Sequence, residues 1–510
     1  MQSDEKASLG RAMFRGLIWL FFQSASGRVI SILTQVALAR LLLPAQFGVI
    51  GLVYIVTGIA STLTAFGVDA VLLQRHKAIR LWITSSFWTS LGLGVFGFVV
   101  VACLAPAFAY FYHSPQITGL ALILAASMPI GALSTVPSVL MTSELNFRFP
   151  AIYMTVETLA GQIATLLLAW AGFGAFSFVL PTPVLGLIRA GIYWWRAPVR
   201  VTRRARRSQV RYLLTNGLSV FGARLVTEVI GQGDYAVLGL VATHSEVGLY
   251  FFAFRLSVQS LWIIGGNFTG VLVPALVRVK DDAARQIAGA LRAAELLSYV
   301  VMPACFLQAA VADPGLRLFF GQKWVDSIPL AQLLSIGLAF DAVAWIGGGL
   351  LAARRAFRRG FLYNLTALPF FLALVGTGAV VARAPGVAAA VMIYYMLFGP
   401  IYSTAVFTRY GARAADVLSL YAKPPLLAAG AMGIAYLISF SPGIASSQLL
   451  RLIEILLIGP PLYLGLLRAT KPDVLREILE RLSLLRILGK VRRTSQEALA
   501  ALGGRAGRSE

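Results

Sequence analysis

Three arginines lie inside apolar segments that are long enough to cross a bilayer. Arg28 is in the middle of the first such segment, and Arg224 and Arg255 are in the seventh and eighth. A charge at membrane depth costs about 3 kcal/mol or more unless it faces a protein interior or a wet cavity, so by default it marks a transport pathway. A guanidinium stays charged at any working pH and donates paired hydrogen bonds to phosphate oxygens. The arginines therefore predict a cationic cavity for a phosphate or pyrophosphate group.

Polar side chains share helix faces with these arginines. Gln35 follows Arg28 by seven residues, and Gln259 follows Arg255 by four, so each pair lies on one face of a helix. The residues that we expect to line the cavity are Arg28, Gln35, Arg224, Tyr235, Arg255 and Gln259.

The seventh segment leaves an alternative open for its arginine. Tyr235 shares a helix face with Arg224, which favours a place in the cavity. However, Glu228 follows Arg224 by four residues, and an ion pair within the helix would make both residues purely structural.

Acidic residues form a second class of candidates within the apolar segments. Each can bind a coupling proton or sodium ion, or can pair with an arginine. The candidates are Asp69, Glu157, Glu228, Asp234 and Asp341. Asp69 is close to a segment end, where capping at the interface is a further interpretation.

The composition is that of a membrane protein. Of the 510 residues, 58% are hydrophobic and 13% are charged, whereas soluble domains are about 25% charged. Apolar runs of about 20 residues recur along the chain, which predicts an all-α polytopic protein and not a β-barrel. The net charge of +23 is explained by cytoplasmic loops, so nucleic acid is not expected as a partner.

We predict fourteen transmembrane segments. They are 14–39, 47–73, 82–111, 116–141, 150–171, 173–195, 212–241, 246–276, 294–320, 328–352, 361–382, 386–408, 424–440 and 448–467. With this division, most Lys and Arg residues outside the segments fall on one side of the membrane. Because cations accumulate in cytoplasmic loops, both termini are predicted to be cytoplasmic.

The segments divide into two similar halves. The sequence over 41–48, after the first segment, resembles the sequence over 240–248, after the seventh. Six segments separate them, so the halves share one orientation and form parallel repeats. The predicted divisions are 1–195 for the N-terminal six-helix bundle, 196–211 for a basic cytoplasmic linker, 212–408 for the C-terminal six-helix bundle, 409–468 for two additional helices and 469–510 for a basic amphipathic cytoplasmic tail that rests on anionic lipid.

Signatures of enzymes are missing from the sequence. The three histidines form no pair with metal-ligand spacing, and no phosphate-binding glycine loop with its lysine is present. Cys103 and Cys305 are far apart in sequence and lie in apolar segments, so we expect both to be inert thiols in the core. We therefore expect no catalytic residue, no metal site and no cofactor.

Several short motifs, in order, resemble the polysaccharide exporter and lipid-linked oligosaccharide flippase family of the multidrug/oligosaccharidyl-lipid/polysaccharide superfamily. They lie at Leu41–Gly48, Phe66–Gln74, Leu145–Arg148, Gly248–Ala253, Phe320–Trp324 and Pro329–Leu334. A departure is Ser143-Glu144, where the resemblance would place a basic residue before Leu145.

This resemblance implies a fold and a function. The fold would be two six-helix bundles around a V-shaped central cavity, followed by two extra helices. The function would be alternating-access transport of undecaprenyl-pyrophosphate-linked oligosaccharide repeat units across a bacterial inner membrane, driven by an ion gradient or the membrane potential. Arg28, Arg224 and Arg255 would hold the pyrophosphate. The expected partners are the lipid-linked substrate, the bilayer, a polysaccharide polymerase and glycosyltransferases, with the chain itself monomeric.

Two other functions remain open at the level of the sequence. A cation-coupled exporter of small molecules would have a similar fold, although arginines in the pathway would repel a cationic drug. A non-transporting scaffold for polysaccharide assembly could use the basic linker and tail, but it would have no need for charges at membrane depth.

Overall fold

The computed structural model describes residues 27, 30–74, 79–143, 148–197, 199, 201–279, 281–442, 445 and 447–480. These residues are almost all helical, and no strand occurs among them. The helices are α1 (Ile30–Leu41), α2 (Pro44–Ala65), α3 (Val68–Gln74), α4 (Ile79–Phe111), α5 (Gln116–Ser143), α6 (Arg148–Trp170), α7 (Pro181–Arg196), α8 (Arg207–Val241), α9 (His244–Leu261), α10 (Asn267–Arg278), α11 (Ala283–Gly315), α12 (Ile328–Ala339), α13 (Asp341–Ala353), α14 (Phe357–Arg409), α15 (Ala414–Ile438) and α16 (Gln448–Thr470).

The prediction of an all-α polytopic fold is confirmed. The described residues contain 11 helices long and apolar enough to cross a membrane, or 12 if the two bent parts of α8 count as one span. One of these spans, α14, has 53 residues and is broken at Ala382 and Arg383, where Arg383 has a φ of 48°. The first predicted segment lies mostly outside the described residues, so the count of fourteen stays a prediction.

The helix starts follow local sequence signals. α2 begins with Pro44, whose missing N–H costs nothing at a first helical position. α9 begins after Thr243, whose hydroxyl accepts from the Glu246 amide while the Glu246 carboxylate accepts from the Thr243 amide. This reciprocal capping satisfies two backbone donors that a helix start would otherwise leave unpaired.

The two halves cross at a pair of glycines. A Cβ on Gly48 of α2 would overlap the carbonyl oxygen of His244 and lie 3.0 Å from the amide nitrogen of Gly248. A Cβ on Gly248 of α9 would overlap the carbonyl oxygen of Pro44 and lie 2.8 Å from the amide nitrogen of Gly48. Such a reciprocal contact is what a two-fold axis produces. It supports the prediction of parallel repeats, which rested on the same two stretches of sequence.

Helix α2 also packs antiparallel against α8. A Cβ on Gly239 would lie 2.5 Å from the side chain of Leu52, and a Cβ on Gly58 would overlap the carboxylate of Glu228. At the other end of this pair, the rings of Phe66 and Phe221 stack with centroids 4.8 Å apart. The glycines at these positions allow α2 and α8 to pack closely.

An aromatic cluster closes the end of the molecule at which α2 and α9 cross. We call it the Trp324 end. Trp324 is fully buried, its indole N–H donates to the carbonyl of Ala39 at 2.9 Å, and its ring lies 5.0 Å from that of Phe47. Lys323 donates to the carbonyls of Arg40 and Leu42 at 2.9 and 2.7 Å, which satisfies carbonyls at the end of α1.

Buried charges attach the last helices to the second half. Arg451 of α16 is 4% exposed and pairs with Asp313 of α11 at 2.7 Å, and Arg317 pairs with the same carboxylate at 2.7 Å. At the opposite end of α11, Arg292 and Glu295 pair with Glu477 and Lys471. Removing one partner of a buried pair destabilises a fold strongly, because the other charge remains buried.

The first residues of the predicted tail pack against protein, whereas the sequence predicts an amphipathic helix that rests on lipid. Residues 472–480 are helical, and Val474 is 1% exposed in a cluster with Leu296 and Tyr299 of α11. Leu475 and Ile478 pack against the same cluster. Here the apolar face of the tail covers protein, since the neighbouring α11 offers a matching apolar surface. Residues 481–510 lie outside the described residues.

The glycine crossing predicts a sharp difference between two similar substitutions. Gly48→Ala adds a methyl group where a carbonyl oxygen lies, so it should destabilise the protein by about 1–3 kcal/mol and lower its thermal midpoint by several degrees. Gly92→Ala in α4 is the control, because its Cβ would meet no atom within 4 Å. That substitution should leave the midpoint unchanged or raise it, since Ala favours helix. Equal midpoints for the two variants would contradict the close crossing.

Candidate functional site

Arg255 lies on a small polar cavity between the two halves, which we call the Arg255 cavity. Its volume is about 120 Å³. Its polar lining residues are Ser31, Gln35, Tyr54, Gln162, Thr165 and Arg255. Thus α1, α2 and α6 of the first half and α9 of the second half line one cavity, and Gln35 and Arg255 lie together in it. The role of each residue in binding a substrate stays a prediction.

The Arg255 cavity has unused hydrogen-bonding capacity. Arg255 makes no ion pair within the described part of the chain, and its guanidinium lies 5.5 Å from the ring centroid of Phe251. Gln35 is 7% exposed, and its Nε2 is buried without a hydrogen-bond partner among the described residues. The guanidinium of Arg255 is therefore the cation that this cavity offers to an anion.

Arg224 is paired with an acid of the other half. Its two terminal nitrogens donate to the two carboxylate oxygens of Asp69 at 3.3 and 3.2 Å. Both side chains are about 40% exposed (40% and 43%). The alternative of a pair between Arg224 and Glu228 is therefore wrong, since Glu228 instead accepts from Gln232 at 3.3 Å. Asp69 is a charge partner in this state and links α3 to α8.

A larger cavity lies between α2, α4 and α5 of the first half, and we call it the hydroxyl cavity. Its volume is about 620 Å³. Hydroxyl groups dominate its polar lining, which includes Thr57, Ser61, Thr64, Ser90, Ser127, Thr135 and Ser138. Tyr54 lines this cavity and the Arg255 cavity, so the two are direct neighbours. The sequence did not lead us to expect that these residues line a cavity, although the spacing of Thr57, Ser61 and Thr64 places them on one helix face.

A third cavity, the Asp341 cavity, lies within the second half. It has a volume of about 570 Å³ and is lined by α8, α9, α13 and α14. Asp341 accepts a hydrogen bond of 2.7 Å from the indole N–H of Trp345. No Lys or Arg is among the described residues that line it, whereas Asn364 and Tyr395 are. Gln232 lines this cavity and the hydroxyl cavity.

Two of the predicted residues are buried in packing instead. Tyr235 is 4% exposed, and its ring lies 5.4–5.7 Å from those of Tyr250, Phe251 and Phe254. It does not line the Arg255 cavity, because α2 and α9 converge on this part of α8. Asp234 is 2% exposed and accepts from the hydroxyl of Tyr250 at 2.7 Å. The structure therefore differs from the prediction that Tyr235 lines the cavity. It also differs from the prediction that Asp234 binds a coupling ion.

The other predicted residues have separate surroundings. Glu157 of α6 pairs with Arg189 of α7 at 3.3 Å, so it is a charge partner within the first half. Gln259 does not line any of these three cavities in the described part of the chain. Arg28 lies outside the described residues, and its place in the cavity stays a prediction.

Comparisons with known proteins agree with this architecture. A family model described as "Polysaccharide biosynthesis protein" matches residues 37–329. An uncharacterized membrane protein in the cps region of Klebsiella pneumoniae is 25% identical over 365 residues, which are 69% of this chain and 74% of that protein. The lipopolysaccharide biosynthesis protein WzxC of Escherichia coli (strain K12) is 23% identical over 421 residues, 79% of this chain and 84% of that protein.

A solved structure shares the fold. The lipid II flippase MurJ in an inward closed conformation superposes with a TM-score of 0.70 at 13% identity, over 91% of this chain and 99% of that one. At this identity the similarity shows the arrangement of the helices and not the substrate.

Proposed function

Because the chain belongs to the polysaccharide biosynthesis protein family, we propose that it is an alternating-access flippase for a lipid-linked oligosaccharide. It moves undecaprenyl-pyrophosphate-linked repeat units from the cytoplasmic to the periplasmic leaflet of a bacterial inner membrane. The product serves exopolysaccharide, capsule or O-antigen assembly. The chain acts as a carrier that makes and breaks no covalent bond, and both of its termini are cytoplasmic.

The observation that carries this proposal is Arg255, which lines a polar cavity between the two halves and makes no ion pair among the described residues. An anion that enters the Arg255 cavity gains charge-assisted hydrogen bonds, each worth about 1.5–3 kcal/mol. The pyrophosphate of the substrate is such an anion. Arg28, on the face of the first segment that carries Gln35, is proposed as a second ligand. Arg224 would join them only when its pair with Asp69 opens, so we assign it to a different state of the transport cycle.

The same observation separates this function from its alternatives. A cationic drug would be repelled by Arg255, because no Asp or Glu is among the described residues that line the Arg255 cavity. A scaffold would have no need for a charge at membrane depth, where it carries a free-energy cost and by default marks a functional site. The bilayer supplies the substrate laterally, and a polysaccharide polymerase and glycosyltransferases are the proposed partners of a monomeric carrier.

The Asp341 cavity is proposed as the site of the coupling ion. Its carboxylate keeps an oxygen that Trp345 does not use, and Thr227 and Asn364 line the same cavity, so it can take up a proton or a sodium ion. Gln232 connects this cavity to the interface between the halves, next to Glu228. Binding of the ion at Asp341 can therefore alter the packing of α8, the helix of the second half that packs against α2 of the first half.

Substitution of Arg255 tests the proposed function. In a strain that lacks the chromosomal gene, Arg255→Gln should lower exported polysaccharide at least about tenfold at equal protein level, because one charge-assisted contact is lost. Arg255→Lys should give an intermediate yield, since it keeps the charge but not the fork.

The matched control is Arg196→Gln. Arg196 also lies over an aromatic ring, 5.8 Å from the centroid of Phe149, but at the end of α7 and away from the Arg255 cavity. Export of polysaccharide by the Arg196→Gln variant should remain normal. Normal export from Arg255→Gln would contradict the anion site, and loss of export from Arg196→Gln alone would favour the scaffold.

Substitution of Asp341 tests the coupling site. In proteoliposomes, Asp341→Asn should make transport of the lipid-linked oligosaccharide insensitive to proton and sodium gradients, because the neutral amide takes up no proton and lacks the negative charge that attracts a sodium ion. Its affinity for undecaprenyl pyrophosphate should be unchanged. Asp416→Asn, at an exposed position in the first turn of α15, is the control and should respond like the wild type. An unaltered gradient response of Asp341→Asn would exclude this site.

A further inference from the structure

Two arginines converge on Tyr410 at one end of the second half. The guanidinium of Arg354 lies 4.2 Å from the centroid of the tyrosine ring, and Nη1 of Arg359 donates to the tyrosine hydroxyl at 3.0 Å. Nε of Arg354 also donates to Oε1 of Gln286 at 2.8 Å, and Gln286 is 0% exposed. These contacts hold two cations at fixed positions. We call Tyr410, Arg354, Arg359 and the neighbouring Arg355 the Tyr410 cluster.

Arg355 occupies a backbone position that favours glycine. It follows α13 with a φ of 54°, and the amides of Arg355 and Ala356 donate to the carbonyls of Ala352 and Leu351. This is the hydrogen-bond pattern of a Schellman motif, whose left-handed residue is usually glycine. The same motif at the end of α14 has Gly411, with a φ of 102°. Because a Cβ makes the left-handed conformation unfavourable, the chain places a cation at position 355 at a cost in stability.

The positive charge of the Tyr410 cluster has no acidic partner. Its three arginines form no ion pair with an Asp or Glu in the described part of the chain. Arg355 and Arg359 are exposed, so their guanidinium donors are open to an anion. The hydroxyl of Tyr410 accepts from Arg359 and still has a hydrogen of its own to donate. Guanidinium groups donate paired hydrogen bonds to phosphate oxygens, so this arrangement suits a phosphate.

The Tyr410 cluster lies where the bilayer-facing surface of α14 begins. Arg383, at the break in α14, pairs at 3.5 Å with Glu246 in the first turn of α9, which starts at the Trp324 end. Both ends of α14 therefore lie at the opposite end of the molecule. Exposed apolar side chains extend along α14 from Phe357 to Val381. This stretch is about 36 Å long, enough to cross a hydrocarbon core of about 30 Å. The arginines just before it lie at the level of the lipid head groups.

We propose that the Tyr410 cluster binds the phosphate of an anionic phospholipid in the cytoplasmic leaflet. The proposed topology places this end of the molecule in the cytoplasm, and anionic lipids attract basic groups close to the membrane surface. A soluble phosphate compound offers the same oxygens. However, Phe357 is 61% exposed beside the arginines and can contact the acyl chains of a lipid, which favours the lipid. The site does not depend on the identity of the transported molecule.

The test measures the Kd of phosphatidylglycerol for the full chain in a neutral detergent, by native mass spectrometry. The double variant Arg355→Gly/Arg359→Gln should raise this Kd at least about tenfold, because charge-assisted contacts with the phosphate are lost. Tyr410→Phe should give a smaller rise, since it keeps the ring beneath Arg354 and removes only the hydroxyl that positions Arg359.

Arg355→Gly alone separates binding from folding. Glycine fits the left-handed position better than arginine, so this variant should have an unchanged or higher thermal midpoint and still bind phosphatidylglycerol more weakly. A lower thermal midpoint with an unchanged Kd would show that Arg355 is only structural and would contradict its part in the site.

The charge-matched control is Arg203→Gln/Arg204→Gln in the basic linker. Both of these arginines are exposed, and neither forms an ion pair in the described part of the chain. The control removes two cations from the end of the molecule that also holds the Tyr410 cluster. It should leave the Kd of phosphatidylglycerol unchanged, because these two arginines are not positioned around a tyrosine.

Inorganic phosphate serves as the probe for a soluble source. It should not displace phosphatidylglycerol from the wild-type chain, because it has no acyl chains to contact Phe357. Displacement at equal concentration would assign the Tyr410 cluster to a soluble phosphate and overturn the lipid. An unchanged Kd in the double variant, or an equal rise in the linker control, would overturn the site. Transport is measured in none of these experiments, so the proposed function is tested separately.

Discussion

The rest of the structure depends on the contact between Gly48 and Gly248, where the two halves approach within backbone distance. Neither position has room for a side chain, since a Cβ on either glycine would overlap a carbonyl oxygen of the opposite half. This contact fixes where α2 and α9 cross, and the aromatic side chains of the Trp324 end pack around the crossing. From there α2 continues antiparallel to α8, so its remaining face is free to line both the Arg255 cavity and the hydroxyl cavity. Close packing of backbones through small residues is a common means of helix association in membranes.

The interior divides its polar chemistry among three adjacent cavities. The Arg255 cavity offers a cation, the hydroxyl cavity is lined mainly by serine and threonine, and the Asp341 cavity offers a carboxylate with no Lys or Arg among the described residues of its lining. A lipid-linked oligosaccharide has an anionic pyrophosphate junction, for which we propose the Arg255 cavity. Because Tyr54 and Gln232 are shared between neighbouring cavities, occupation of one cavity can act on the packing around the next.

Much of the fold could be predicted from the sequence, but the contacts between distant segments could not. Apolar runs and capping residues locate helices such as α2 and α9 because those signals are local. Arg255 and Gln35 could be identified as candidates from the sequence because a charged or polar side chain inside an apolar membrane segment is costly, and by default it marks a functional site. The pair of Arg224 with Asp69 joins residues 155 positions apart, so helical spacing pointed instead to the nearer Glu228. Tyr235 illustrates the same limit, because a shared helix face does not show which neighbouring helix will cover part of it. The hydroxyl cavity was missed because serine and threonine are ordinary residues in membrane helices.

The central claim, that the chain carries a lipid-linked oligosaccharide across the membrane, is tested most directly by the sidedness of that lipid. In a deletion strain without a second flippase, a membrane-impermeant glycosidase applied to spheroplasts measures the fraction of repeat units on the periplasmic face. Our account predicts intact repeat units that are protected in the deletion strain, become accessible when the wild-type gene is restored, and stay protected with Arg255→Gln. Repeat units that are fully accessible in the deletion strain would contradict the claim.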